Sequence, residues 1–145
     1  MDLDLDRSMH VWDNWLNIWN GKPKNSEHIV ADNLTVHIPK FGMPPSDSIR
    51  TRNDFISWVA GFRKRFNQSA LFEIEIGPFI NKDTTASRWR FTGKSPDRNG
   101  VWREVTMCGV DILRVNECGQ ICEYWLSDDL ADIYADLDML SIASS

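Results

Sequence analysis

The chain has 145 residues, of which 26% are charged, and its formal net charge at pH 7 is −5. This acidic balance disfavours nucleic acid and anionic membranes as partners. A chain of about 150 residues buries roughly 68–70% of its unfolded surface, so we expect one domain that spans residues 1–145. Residues 1–6 lack the basic and apolar segments of a signal peptide, and no long apolar run follows, which predicts a cytoplasmic location.

Two long helices are predicted in the first half of the chain. Over residues 5–19 large apolar side chains recur at helical spacing, and Asn20-Gly21 supplies a stop signal. A strand is predicted over residues 34–38. Residues 51–54 then have the form of a capping box, and the apolar residues from 55 to 66 mark one face of a second helix.

The second half of the chain is predicted to contain a run of antiparallel strands. Strand-like segments are separated by turn residues and cover residues 71–79, 84–93, 105–115 and 121–126. A terminal helix over residues 130–140 follows the segment Ser127-Asp128-Asp129, which has the form of an acidic helix cap. Helices that precede a run of strands are typical of an α+β fold, in which helices cover one face of a bent antiparallel sheet.

The outer face of this sheet predicts a partner. Alternation along the strands lets Trp89, Phe91 and Trp125 point away from the helices. Three large aromatic side chains there would form an exposed apolar patch in an acidic protein, so we expect a homodimer that buries this face. The three cysteines have neither metal-ligand nor redox spacing, and we expect free thiols.

Asp111 is the main candidate functional residue in the sequence. Asp111 lies between Val110 and Ile112 in a strand that otherwise has the composition of a buried one, and a buried carboxylate needs a partner or a purpose. Arg88 and Arg90 lie on the neighbouring predicted strand. Three interpretations stay open: a structural ion pair with an arginine, a catalytic acid or base in an apolar site, or a surface residue.

Five motifs in chain order resemble the SnoaL-like polyketide cyclases, a branch of the nuclear-transport-factor-2-like superfamily of cone-shaped α+β folds. Residues 19–21 resemble the family's helix-ending Asn-Gly, and residues 32–39 resemble its first strand with a cavity histidine before a proline. Residues 88–93 resemble its Arg-Trp strand ending in Thr-Gly, residues 109–115 its next strand, and residues 119–125 its Gly-Lys-Ile-Val-Glu-His-Trp. The chain departs from the family at the catalytic aspartate, which is Leu126 here, and at the preceding histidine, which is Tyr124.

The resemblance implies a pocket inside the cone, with N-terminal helices packed on a strongly bent sheet. The candidate catalytic residues in that pocket are His37, Asp111 and Tyr124. The candidate substrate-binding residues are Trp12, Trp15, Trp19, Trp58, Arg88, Arg90, Met107 and Leu126. No cofactor is expected, and no metal, because the histidines lie on different elements without carboxylates at ligand spacing.

These residues support two principal hypotheses. In the first, a cofactor-free isomerase, cyclase or dehydratase uses Asp111 or His37 to move a proton α to a carbonyl group, while Tyr124 or an arginine stabilises the oxyanion. In the second, which Leu126 favours, the chain is a non-catalytic ligand-binding or dimeric assembly module. The expected partner in either case is a small hydrophobic molecule. A third hypothesis is a structural dimer whose own tryptophans fill the cavity.

Overall fold

The computed structural model describes residues 2–139. Its helices and strands, numbered in chain order, are α1 (Leu5–Trp19), β1 (Val30–His37), α2 (Arg52–Lys64), β2 (Leu71–Asn81), β3 (Thr84–Pro96), β4 (Trp102–Val115), β5 (Ile121–Asp128) and α3 (Leu130–Asp136). The terminal helix, predicted over residues 130–140, ends at Asp136 in the structure, and residue 140 lies outside the described residues. The α+β fold class is confirmed.

The five strands form one sheet in the order β1-β5-β4-β3-β2. The pairs β2–β3, β3–β4 and β4–β5 are antiparallel, as predicted, whereas β1 runs parallel to β5. The predicted run of four antiparallel strands is confirmed, and the parallel pairing of β1 makes the sheet mixed at this edge. Turn signals predict pairing between strands that follow each other in the chain, and β1 is separated from β5 by α2 and three strands.

Local signals set the ends of the two long helices. The carboxylate of Asp4 accepts a backbone N–H at 2.8 Å and begins α1. At the other end, the Asn20 side chain donates to Phe72 O at 3.0 Å and accepts from Phe72 N at 2.8 Å, which ties α1 to β2. The predicted capping box is present, since Thr51 Oγ1 accepts from Asp54 N and Asp54 Oδ2 accepts from Thr51 N, both at 3.1 Å.

The aromatic side chains of β3 face the helices. Trp89 and Phe91 are 4% and 0% exposed and belong to the core. The prediction that they form an outer dimer face is therefore wrong, and only Trp125 of the three lies on that face. Packing two aromatic rings inward is favourable, whereas packing Arg88 and Arg90 there would require two charges to lose their water.

The thiols of Cys108, Cys118 and Cys122 are free in the structure. Cys122 Sγ donates to Arg114 O at 3.6 Å. Within residues 2–139, every helix is too short or too polar to cross a membrane.

Candidate active site

A buried carboxyl group on β4, the central strand, lies at the centre of the site. Asp111 is 4% exposed, and three side chains donate hydrogen bonds to it. Trp89 Nε1 and the Tyr124 hydroxyl donate to Oδ1 at 2.8 and 3.3 Å. Trp15 Nε1 donates to Oδ2 at 2.9 Å. Because the donors come from β3, β5 and α1, one carboxyl group joins three elements of the fold to β4.

Burial decides the ionisation of this group. Loss of hydration raises the pKa of Asp111 to about 7, against the opposing effect of three hydrogen bonds that favour the charged form. The charge of Asp128 adds a smaller upward contribution. Burial also raises the pKa of Tyr124 well above its usual value, so its hydroxyl stays protonated and remains a donor. Near neutral pH, Asp111 therefore exists in both protonation states.

A glycine allows the Trp89 indole to reach this carboxyl group. Trp89 pairs with Gly109 across β3 and β4, and paired residues share a face of the sheet, as do residues two apart. A Cβ at Gly109 would overlap the Trp89 ring and lie 2.8 Å from Ser127 O. The missing side chain therefore leaves room for the indole to lie along β4 towards Asp111.

Asp111 and Tyr124 line a narrow apolar cavity, which we call the central cavity. Its volume is about 20 Å³, enough for roughly one water molecule. Large apolar side chains form most of the wall, and the lining residues besides these two are Leu16, Trp19, Met43, Trp58, Phe62, Phe72, Trp89, Met107, Leu126 and Asp128.

A larger outer groove adjoins the central cavity. It has a volume of about 320 Å³ and lies between α2, α3 and the loop around Gly42. Met43, Trp58 and Phe62 line both spaces, so these three side chains separate the central cavity from the outer groove.

A sequence model of the SnoaL-like domain matches residues 12–124, a span that includes Asp111 and all three of its donors. The chain belongs to the SnoaL-like family. No curated protein matches its sequence.

Solved structures share the fold of this SnoaL-like protein. TsrD from Streptomyces laurentii has a TM-score of 0.72 at 16% identity, over 96% of this chain and 100% of TsrD. A proposed polyketide cyclase from Acidithiobacillus ferrooxidans has a TM-score of 0.77 at 17% identity, over 94% and 98% of the two chains. Another from Bacillus cereus has a TM-score of 0.74 at 22% identity, over 96% and 87%. At these identities the likeness establishes the fold and no activity.

The SnoaL-like protein brings part of the predicted wall together. Four of the predicted substrate-binding residues line the central cavity: Trp19, Trp58, Met107 and Leu126. Trp12 and Trp15 lie behind this lining. Trp12 Nε1 donates to Thr85 Oγ1 at 3.0 Å, and Trp15 holds the Asp111 carboxyl group.

The placement of His37 in the cavity is wrong. His37 Nε2 lies 2.7 Å from Glu123 Oε2, and its ring stacks on Trp125 on the outer face of the sheet. Arg114 contacts the other oxygen of Glu123 at 3.0 Å. The imidazole thus has its own partners outside the cavity and cannot touch a molecule bound inside.

The two arginines also lie on the outer face. Arg88 Nε is 3.5 Å from Glu75 Oε2, and Arg90 is exposed. The prediction that they line the cavity and pair with Asp111 is therefore wrong, and so is the interpretation of Asp111 as a surface residue. Indole and phenol donors satisfy a buried carboxyl group without burying a second charge.

A second carboxyl group of the cavity, Asp128, was missed by sequence reasoning. Its Oδ1 accepts from Leu130 N at 3.3 Å, and burial raises its pKa. Strand alternation could have predicted that Asp128 faces the cavity, because it lies two residues after Leu126 on the same face of β5. In the sequence, the segment Ser127-Asp128-Asp129 is interpreted only as a helix cap. Among the described residues, no three His, Cys, Asp or Glu side chains are grouped to hold a metal ion.

Proposed function

We propose that this SnoaL-like protein binds a small hydrophobic carbonyl compound and moves a proton on it without a cofactor, as an isomerase, cyclase or dehydratase. The observation that carries the proposal is Asp111, a fully buried carboxyl group with a pKa of about 7 beside an apolar cavity. A general base is most effective when its pKa lies near the working pH, and it contributes roughly 10²–10⁴-fold to the rate.

Asp111 Oδ2 is the atom that takes the proton. Oδ1 accepts two hydrogen bonds, whereas Oδ2 accepts one from Trp15 and keeps a free lone pair. In the proposed step, the C–H bond α to the carbonyl group breaks and its proton moves to Oδ2. The electron pair moves onto the carbonyl oxygen as an enolate. Return of the proton to the same carbon gives exchange, and return to another carbon gives isomerisation.

Tyr124 is the donor that stabilises the enolate oxygen. Its hydroxyl stays protonated because burial raises its pKa, and its bond to Asp111 at 3.3 Å is longer than either indole bond. Once Asp111 has taken a proton, it is a weaker acceptor, and the hydroxyl is free to turn to the charged oxygen.

Ligand access requires side chains to move. A volume of about 20 Å³ is far below the roughly 300–1,000 Å³ of common small-molecule sites. Met43 is the unbranched side chain among the three that separate the central cavity from the outer groove, and methionine adapts its shape at low cost. We therefore place the route through Met43.

The experiment is hydrogen exchange in deuterated water. We use 1-tetralone, a bicyclic ketone, and follow the loss of its α-proton signal by NMR. The parent protein should accelerate exchange and Asp111→Asn should not. Asp97→Asn is the matched control, because Asp97 is a buried carboxylate in the β3–β4 turn, away from the central cavity. This variant should accelerate the exchange of 1-tetralone as much as the parent does. Failure of the parent to accelerate exchange would remove the enzyme proposal.

The second candidate is a non-catalytic binding or assembly module. It is favoured by the way Asp111 ties α1, β3 and β5 to β4, which is a structural role in itself. It is also favoured by the narrow cavity and by Leu126 at the place of the family's aspartate. This candidate predicts that 1-tetralone binds and its exchange rate stays at the solvent background.

We also propose a homodimer through the outer face of the sheet, with a corrected set of residues. The strand register places an unbroken row across this face: Phe79, Ala86, Ile112, Trp125 and His37. Phe79 is 61% exposed and Ile112 is 37% exposed, so the row presents two large apolar side chains to solvent. A second copy that covers this face would bury both side chains.

A further inference from the structure

Two buried polar atoms of the central cavity have no hydrogen-bond partner within residues 2–139. They are Trp19 Nε1, a donor, and Asp128 Oδ2, an acceptor, and both side chains line the cavity. Trp19 is 6% exposed, so its N–H is shielded from water as well. Native proteins leave few buried polar groups unpaired, and each such group calls for an explanation.

Trp19 differs from the other buried indoles near the site. The N–H of Trp12 donates to a hydroxyl, and those of Trp15 and Trp89 donate to Asp111. Trp19 is instead surrounded by aromatic rings, with ring centres 5.2 to 6.4 Å away, from Trp15, Phe55, Trp58, Phe62 and Phe72. None of these rings offers an oxygen, and a molecule that enters the cavity could supply the acceptor that the indole N–H lacks.

Asp128 supplies the complementary group. Its Oδ1 is used by the backbone at the start of α3, and Oδ2 keeps its acceptor capacity. Among the described residues, no cation forms a salt bridge with this carboxyl group. An aromatic cavity in which Trp19 Nε1 and Asp128 Oδ2 both lack a partner fits a ring compound that carries one acceptor and one donor.

We infer that the central cavity recognises a cyclic hydroxy-carbonyl compound, whose carbonyl oxygen accepts from Trp19 Nε1 and whose hydroxyl group donates to Asp128 Oδ2. This inference rests on the proposed function and names the substrate class of the same site. The carbonyl oxygen has two lone pairs, so donation from Trp19 is compatible with donation from Tyr124. The two contacts would orient the ring, and sites built on such contacts reject analogues that lack either group.

The test uses three probes of nearly equal shape: tetralin, 1-tetralone and 4-hydroxy-1-tetralone. Calorimetric titration of the parent should give about tenfold tighter binding for each added group. Trp19→Phe should abolish the preference for 1-tetralone over tetralin. Asp128→Ala should abolish the preference for the hydroxyl group, and Asp128→Asn, which keeps a side-chain acceptor, should retain most of it. Trp58→Phe is the matched control and should affect all three probes equally.

A second measurement on the parent protein does not depend on how the variants fold. The indole N–H signal of Trp19 should move downfield in the ¹H–¹⁵N spectrum when 1-tetralone is added and should stay in place with tetralin. The signals of Trp15 and Trp89 are internal controls, because their N–H groups are already bonded to Asp111.

The outcomes separate this inference from the proposed function. Equal affinity for the three probes, with an unmoved Trp19 signal, would overturn the hydroxy-carbonyl assignment and leave the cavity as a binding site. That result would mean that the Trp19 N–H is satisfied by a neighbouring ring. Absence of binding for all three probes would overturn both proposals.

Discussion

The Asp111→Asn variant tests whether burial or hydrogen bonding controls the ionisation of the central carboxyl group. Three donors favour the carboxylate, and loss of hydration favours the neutral acid. The structure predicts that burial dominates and raises the pKa of Asp111 to about 7. Asparagine cannot titrate, so the comparison of parent and variant isolates this one group.

The sign and size of the effect follow from proton linkage. Between about pH 4 and pH 7, folded Asp111 keeps a proton that the unfolded chain has released, so the free energy of unfolding falls as the pH rises. A shift of about three pKa units corresponds to roughly 4 kcal/mol in total, or about 1.4 kcal/mol for each pH unit. The contribution of protonated Asp111 to the free energy of unfolding is fully present below about pH 4 and is lost above about pH 7.

Urea unfolding of parent and variant from pH 5 to pH 9 measures the difference. The free energy of unfolding of the parent minus that of the variant should fall by about 1.4 kcal/mol per pH unit up to about pH 6.5 and stay level above pH 8. The amide NH₂ of asparagine leaves one indole N–H unpaired, which adds an offset of about 1–3 kcal/mol that does not vary with pH.

Asp97→Asn is the control for this experiment. Arg103 and backbone N–H groups lower the pKa of Asp97, so its stabilisation is lost only as the pH falls below the normal range of a carboxyl group. The difference in free energy of unfolding between the parent and Asp97→Asn should therefore stay constant from pH 5 to pH 9. A level difference for Asp111→Asn as well, or one that rises with pH, would mean that the three hydrogen bonds outweigh burial and would refute the reasoning.

Three further variants test separate parts of the structure. Met43→Ala should open the central cavity to the outer groove and raise the affinity for 1-tetralone several-fold in calorimetry, and an unchanged affinity would show that Met43 does not limit access. Gly109→Ala should lower the free energy of unfolding by about 1–3 kcal/mol, because the new Cβ would overlap Trp89, and an unchanged urea midpoint would contradict this. Ile112→Glu should give a monomer in sedimentation where the parent gives a dimer, and a dimeric variant would exclude this face as the interface.

The sequence predicts most of the helices and hairpins because their signals are local. The predicted α1 has the bounds of the structure, since apolar spacing and Asn20-Gly21 lie within one segment. The capping box at residues 51–54 is equally local. The pairing of β1 with β5 depends on residues far apart in the chain, and no short-range pattern encodes it.

The site was only partly predictable, because alternation tells which residues share a face and leaves open which face is buried. Arg88 and Arg90 were placed inside to pair with Asp111, which put Trp89 outside. In the structure both arginines lie outside and Trp89 lies inside. The Trp89 indole donates the hydrogen bond to Asp111 that an arginine was expected to provide. The free-energy cost of burying two guanidinium groups favours the observed arrangement, with both arginines outside and Trp89 inside.

The pH dependence of α-proton exchange in 1-tetralone tests the central claim most directly, namely that buried Asp111 moves a proton on a bound carbonyl compound. Only ionised Asp111 accepts a proton, so the protein-dependent rate should rise from pH 5, pass its midpoint near pH 7 and level off above pH 8. Asp111→Asn should show only the background rate at every pH. A protein-dependent rate that persists in this variant, or a midpoint near pH 4 in the parent, would contradict the account.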